Sequence, residues 1–163
     1  MYVAIFKNKS KGVLTMNTNK DDVMSFLEKW RKILRLQDWD IAYRSVEEEW
    51  RKTGDIKIDM DDRTAILLIN TCNPKQTNLE QLIIHELIHL KLWEMDQLVE
   101  NLIDALFDSE DDPKRELVHS QFMGILEYTV NDLSKGFLEL GGIDKAVSFG
   151  RLEAALKEEF VNL

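Results

Sequence analysis

Alternation of apolar and polar side chains predicts three β-strands in the first half of the chain. Residues 39–46 alternate in this way, and so do residues 56–60, as expected for strands with one face on a core. Residues 64–70 instead form a continuous apolar run that ends before the turn signal Asn73-Pro74. Such a run is typical of a strand that is covered on both faces. The third strand is therefore expected to be the most buried of the three.

Apolar residues spaced three or four apart predict helices over most of the remaining sequence. The first helix, which starts at Asn19 or Asp21 and ends near Leu34, is expected to cover the sheet. The later helices are predicted over residues 77–93, 96–107, 113–135 and 144–160. Pro113 suits the first position of a helix. The pattern as a whole predicts an α+β protein with a small sheet of three or four strands.

The two ends of the chain are predicted separately. Residues 1–15 fit either a loose arm or an extra strand. Residues 143–163 are expected to hold a C-terminal helix whose apolar stripe faces the core. That stripe consists of Phe149, Leu152, Leu156 and Phe160. The full length of 163 residues is the usual size of one domain, so residues 1–163 are expected to form a single domain.

Composition narrows the possible partners and the compartment. Acidic residues outnumber basic ones by 30 to 21, and the formal net charge is −9. A nucleic acid or an anionic membrane would instead require clustered Lys and Arg, so neither is an expected partner. The single cysteine, Cys72, excludes an intrachain disulfide and fits a reducing compartment. With no run suited to a signal peptide or a membrane span, a soluble cytoplasmic protein is expected.

Three polar residues, His85, Glu86 and His89, interrupt the second predicted helix. Histidines four positions apart lie on one helical face, so both imidazoles can reach one ion about 2.0–2.1 Å away. Glu86 then lies beside the ion, where it can accept a proton from an activated water and pass it to a leaving amine. The alternative is that both histidines are hydrogen-bonded core residues without a ligand. A metal site is favoured because buried polar groups without partners are costly.

The rest of this helix predicts that the three polar residues are buried. Thr77 and Glu80 have the spacing of a capping box, which would place the motif in the second and third turns. The helix is apolar on nearly all sides, as is typical of a buried helix. The apolar positions are Leu82, Ile83, Ile84, Leu87, Ile88 and Leu90.

The segment His85-Glu86-Leu87-Ile88-His89 resembles the H-E-x-x-H motif of zincin metallopeptidases. The compact layout is similar to small H-E-x-x-H proteins of bacteriophages and other mobile elements, over about residues 36–137. The resemblance implies a minimal zincin-like domain, in which His85 and His89 bind zinc and Glu86 is the general base. It also implies that the strand over residues 64–70 lines the cleft and pairs with an extended substrate. The alternative is an interior strand without that role.

A catalytic zinc site usually has three protein ligands, so the two histidines need a companion. Glu116, His119 and Glu127 share one broad face of the helix that is predicted from residue 113. Glu127 is favoured, because the segment that follows it resembles the second helix of glutamate-type zincins. His119 is the main alternative and Glu116 a further one. The metzincin pattern is excluded, because Leu92 and Met95 occupy the positions of its glycine and third histidine.

These features predict a zinc-dependent peptidase, with a zinc ion held by His85, His89 and Glu127 and with Glu86 as general base. The expected partner is a peptide or protein substrate. The alternative is a zinc-binding structural or regulatory protein of a phage or mobile element that has no catalytic activity. A DNA-linked peptidase is disfavoured by the acidic composition and by the lack of a cysteine-rich zinc ribbon.

Overall fold

The computed structural model describes residues 18–161, which form four helices and a three-stranded mixed sheet, so the predicted α+β class is confirmed. The elements in chain order are α1 (Lys20–Ile33), β1 (Asp40–Val46), β2 (Gly54–Asp59), β3 (Thr64–Asn70), α2 (Leu79–Leu106), α3 (Pro113–Gly141) and α4 (Gly150–Val161). The arm or strand predicted over residues 1–15 lies outside the described residues. Among residues 18–161, no helix has both the length and the apolar character needed to cross a membrane.

All three predicted strands form, and they make one sheet in the order β1-β3-β2. β3 runs parallel to β1 and antiparallel to β2. It is the most buried strand, as expected, and its Leu67 and Ile69 are fully buried. Because β3 is paired on both sides, it has no free edge for an extended peptide. The prediction that residues 64–70 pair with a substrate is therefore wrong, and the interior alternative is correct.

The central element is α2, which packs against α1, α3 and β2. The apolar residues around the motif are all buried, as predicted: Leu82, Ile83, Ile84, Leu87, Ile88 and Leu90. Instead of ending near Trp93, the helix continues for 28 residues to Leu106. Residues 96–106 are helical as predicted, but they continue α2 and do not form a separate helix. The helix continues because no glycine or proline interrupts this span and its polar residues are compatible with a helix. The last third of α2 leaves Leu98, Leu102 and Leu106 exposed.

The start of α2 differs from the predicted capping box. Asn78 is the N-cap, and its side chain accepts a hydrogen bond of 2.9 Å from the backbone of Gln81. Glu80 does not turn back to the cap, because it is buried and accepts hydrogen bonds from Trp30 Nε1 at 2.8 Å and Lys29 Nζ at 2.7 Å. These contacts join α1 to the start of α2. Helix α1 thus packs against α2, and its buried side chains belong to the same hydrophobic core as those of β2 and β3.

Helix α3 lies antiparallel to α2. It begins as predicted at Pro113, after the N-cap Asp112, but it continues to Gly141 instead of ending near residue 135. Ion pairs connect Arg115 to Asp104 at 2.5 Å and His119 to Glu100 at 2.9 Å. In both pairs an early residue of α3 meets a late residue of α2. The antiparallel arrangement brings the middle of α3 beside the histidines of α2.

The C-terminal helix starts later than predicted, and the apolar stripe that was predicted to face the core is exposed. Residues 143–148 are irregular, because Glu80 accepts a hydrogen bond from Ile143 N at 2.7 Å and Asn78 donates one to Asp144 O at 2.8 Å. The predicted inward stripe is half or more exposed: Phe149, Leu152, Leu156 and Phe160. The inward orientation is wrong because α4 instead turns the face with Arg151, Ala154, Ala155 and Glu158 towards the cleft beside α2.

Candidate metal centre

Three predicted ligands, His85, His89 and Glu127, meet between α2 and α3. The Nε2 atoms of the two histidines lie 3.1 Å apart. Glu127 places Oε1 at 3.2 Å from His89 Nε2 and Oε2 at 3.6 Å from His85 Nε2. Ligand atoms of a tetrahedral zinc, each 2.0–2.1 Å from the ion, are about 3.3 Å apart. The spacing of the three side chains therefore fits a zinc ion.

The fold positions each ligand through its neighbours in the core. His85 and His89 lie one turn apart on the face of α2 that looks towards α3. On α3, Leu126 and Val130 are buried and press the helix against the core, so Glu127 between them lies at the boundary with α2. The histidine side chains are 13% and 19% exposed, and that of Glu127 is 46% exposed. The group is thus partly buried and still open to a ligand from one side.

The other ligand candidates lie elsewhere on α3. His119 is eight residues before Glu127, about 12 Å along the helix axis, and it pairs with Glu100 of α2. Glu116 is exposed in the first turn of α3. Within the described part of the chain, His85, His89 and Glu127 are the one group of potential ligands with metal-site spacing. The structure therefore does not bring His119 or Glu116 to the histidines.

The protonation states of His85 and Glu127 suit a cation, whereas the raised pKa of His89 favours a proton that a metal would have to displace. Burial and, after it, the neighbouring His89 lower the pKa of His85 to about 4. Burial also opposes the charge on His89, but the hydrogen bond to Glu127 and the charge of Glu86 outweigh it and raise its pKa. The same hydrogen bond lowers the pKa of Glu127. At neutral pH, His85 is neutral and Glu127 is ionised, which are the forms that bind metals.

Glu86 lies beside the three ligands and lines the same cleft. Its side chain is buried, and burial raises its pKa to about 7, with His89 opposing the shift and Asp55 adding to it. The first residue of β2, Gly54, makes room for it. A Cβ atom at Gly54 would lie 2.7 Å from Glu86 Oε1, which is too close for any other residue without a shift of the carboxylate. A carboxylate with a pKa near 7 is suited to general-base chemistry.

Two residues of this centre were not predicted from the sequence. Gly54 is one, and the signal for it was a lone glycine directly before an alternating strand. Asn131 is the other. Its Nδ2 donates to the backbone carbonyl of Glu127 at 2.9 Å, and its side chain also forms a hydrogen bond with His85. Partners of this kind hold a ligand imidazole in one orientation. The signal for Asn131 was its position one helical turn after Glu127.

The ligands and Glu86 open onto a cleft of about 630 Å³ between β2, α2, α3 and α4. Its lining includes three apolar side chains, Ile58, Trp93 and Met123. Beside the centre itself, the charged residues of the lining are the cations Arg51, Lys52, Lys75 and Arg151 and the anions Asp55, Asp96 and Glu158.

Comparisons of the chain with models of protein families, with curated proteins and with solved structures found no match.

We expect the metal-free protein to become less stable between pH 4.5 and 7 because of Glu86. Its pKa is about 7 in the folded protein and 4.5 ordinarily, so the folded state binds the proton more tightly. The stabilising contribution is complete below pH 4.5 and is lost as the pH rises through 7, which amounts to about 3 kcal/mol. Urea unfolding in the presence of a chelator measures it. Glu86→Gln should be more stable than wild type at pH 8 and lose this advantage at pH 4.5.

A matched control for this experiment is Glu94→Gln, which changes an exposed carboxylate of the same helix. The change in unfolding free energy between pH 4.5 and 8 should differ more from wild type in Glu86→Gln than in this control. A constant difference between Glu86→Gln and wild type over this range would show that Glu86 does not titrate differently in the folded and unfolded states.

Proposed function

We propose that this chain is a zinc-dependent peptidase that hydrolyses peptide bonds. The observation that carries the proposal is the arrangement of His85, His89 and Glu127, whose ligand atoms lie within 4.8 Å of one another, with the buried carboxylate of Glu86 beside them on an open cleft. A structural zinc site is normally closed by four protein ligands, whereas a catalytic site keeps a position open for water or substrate. Three ligands facing a cleft of this size favour catalysis.

His85, His89 and Glu127 would hold the zinc ion, and Asn131 would keep His85 oriented. Bound zinc supplies a Lewis acid and lowers the pKa of water at the site to roughly 7. Glu86 would accept the proton of the attacking water, because its carboxylate lines the same cleft beside the ligands. The protonated Glu86 then donates to the leaving amine. Gly54 leaves the space in which the carboxylate makes both transfers.

The strand beside the cleft is β2, and its backbone supports binding of an extended peptide. Thr53 O accepts a hydrogen bond from Asn70 N of β3. Since backbone groups alternate in direction along an antiparallel pair, those of Gly54 and Ile56 point away from β3. Within residues 18–161, no other strand pairs with that side of β2. A substrate backbone placed there would run past Glu86 and the ligands.

Removal of zinc tests the proposal. The zinc-loaded protein is incubated with a mixture of unfolded proteins and peptides, and new termini are identified by mass spectrometry. We expect cleavage that stops when a chelator removes the metal and resumes when zinc is restored. A zinc-loaded protein that gains thermal stability from the metal but releases no new termini would contradict the proposal. That result would favour the non-catalytic alternative.

A further inference from the structure

The cleft is lined by cations that hydrolysis by itself does not require. Arg51, Lys75 and Arg151 are among its lining residues in a chain whose net charge is −9, together with the anions Asp55, Asp96 and Glu158. Among the ion pairs that the described residues form, none includes these three cations. Cations that line a cleft attract anionic groups of a ligand. The anionic group that an unmodified peptide can offer them is a carboxylate.

Arg151 is the cation that is best placed to act next to the metal centre. It lies in the first turn of α4, and its charge acts on both His85 and Glu127. Arg51 and Lys75 come from the loops before β2 and α2 and line the cleft beside it. A guanidinium can bind a carboxylate through two parallel hydrogen bonds, which a lysine cannot do.

The fold holds Arg151 at this place through its preceding segment. Ser148 Oγ accepts a hydrogen bond from Thr77 N at 3.0 Å, and the buried Asn78 and Glu80 hold residues 143–146. At Gly150 the chain comes so close to the loop before α2 that an added Cβ would lie 2.5 Å from Lys75 O. The start of α4 is therefore tied to the start of α2. Because α2 also carries the histidines, the distance between Arg151 and the metal centre is set by buried contacts.

We propose that Arg151 determines specificity by binding a carboxylate of the peptide substrate close to the bond that is cut. This inference rests on the proposed peptidase function and adds the substrate class. The carboxylate belongs either to an Asp or Glu side chain or to the C-terminus of the peptide. The apolar residues that line the cleft, Ile58, Trp93 and Met123, then receive an apolar side chain of the same peptide.

Binding to an inactive variant tests this without any need for turnover. Fluorescent peptides of one sequence are prepared with Glu or Gln at each position in turn, and with a free or an amidated C-terminus. Their dissociation constants are measured by fluorescence anisotropy on zinc-loaded Glu86→Gln. We expect at least one carboxylate to strengthen binding about tenfold or more, and high salt to reduce the preference. The position of that carboxylate distinguishes a side chain from the terminus.

The preference should disappear in the double variant Glu86→Gln, Arg151→Gln and persist in part with Arg151→Lys. The matched control is Lys135→Gln, which removes an exposed cation of α3 that does not line the cleft. Equal binding of acidic and neutral peptides, or a preference that survives Arg151→Gln, would overturn the inference. The two proposals fail in different measurements. If the protein does not hydrolyse peptides, the peptidase proposal fails, but the carboxylate preference in binding would still be seen if Arg151 binds as proposed.

Discussion

Glu86→Gln is expected to abolish peptide hydrolysis while zinc remains bound. Glutamine has nearly the same shape as glutamate and fits beside Gly54, but it cannot accept the proton of the attacking water. Loss of a general base of this kind lowers kcat by roughly 100- to 10,000-fold. The rate is measured by chromatography of the cleavage products, and bound zinc is measured by atomic emission on the same sample. The three ligands are unchanged, so the zinc content should equal that of wild type.

Two further measurements make this result specific. Glu94→Gln, which alters an exposed carboxylate of α2, should hydrolyse peptides at the wild-type rate. The unfolding curve of Glu86→Gln shows whether the variant is folded under the assay conditions. A Glu86→Gln protein that is folded and zinc-loaded and still cleaves as fast as wild type would show that Glu86 is not the base.

Glu127→Ala should lose zinc, whereas His119→Ala should keep it. Removal of Glu127 leaves two imidazoles and deletes the negative charge that faces the cation. Mutation of an outer partner of a ligand already costs roughly 10- to 100-fold in metal affinity, and loss of a ligand should exceed this. Competition against a chromogenic chelator measures the dissociation constants. The affinity of His119→Ala should equal that of wild type, because His119 pairs with Glu100.

The two substitutions are matched, since both truncate a polar residue of α3 that meets a polar residue of α2. A similar loss in both would indicate a general disturbance of the contact between the helices. Loss of zinc in His119→Ala alone would mean that His119 is the third ligand and that the helices shift to bring it to the histidines.

The sequence correctly predicted the features that depend only on residues close together in the chain, namely the strands and the helical face that the two histidines share. The alternation in residues 39–46 and 56–60, and the apolar run in residues 64–70, correspond to β1, β2 and β3. The spacing of His85 and His89 by four residues was enough to place them on one helical face. Such patterns are reliable here because the period of a helix or strand relates positions within a few residues of one another.

The errors occurred where the outcome depended on distant residues. Glu80 has the spacing of a capping box, but Trp30 and Lys29, some fifty positions earlier, bind its carboxylate instead. The apolar stripe of α4 was predicted to face inward. Periodicity shows which residues share a face, but it does not show which of two faces meets the protein. The start of α4 is held by Asn78 and Glu80, and this turns the face with Ala154 and Ala155 towards the cleft.

The sequence by itself determined that an acidic α+β chain presents two histidines and a glutamate on one buried helix. Only the tertiary structure decided which residue joins them. Glu116, His119 and Glu127 lie on one broad face of α3, and the antiparallel packing of α3 on α2 brings Glu127 within 3.6 Å of both imidazoles. The same packing leaves His119 with Glu100. The physical reason is that helical periodicity orders residues around an axis, whereas the offset between two helices is set by their contacts.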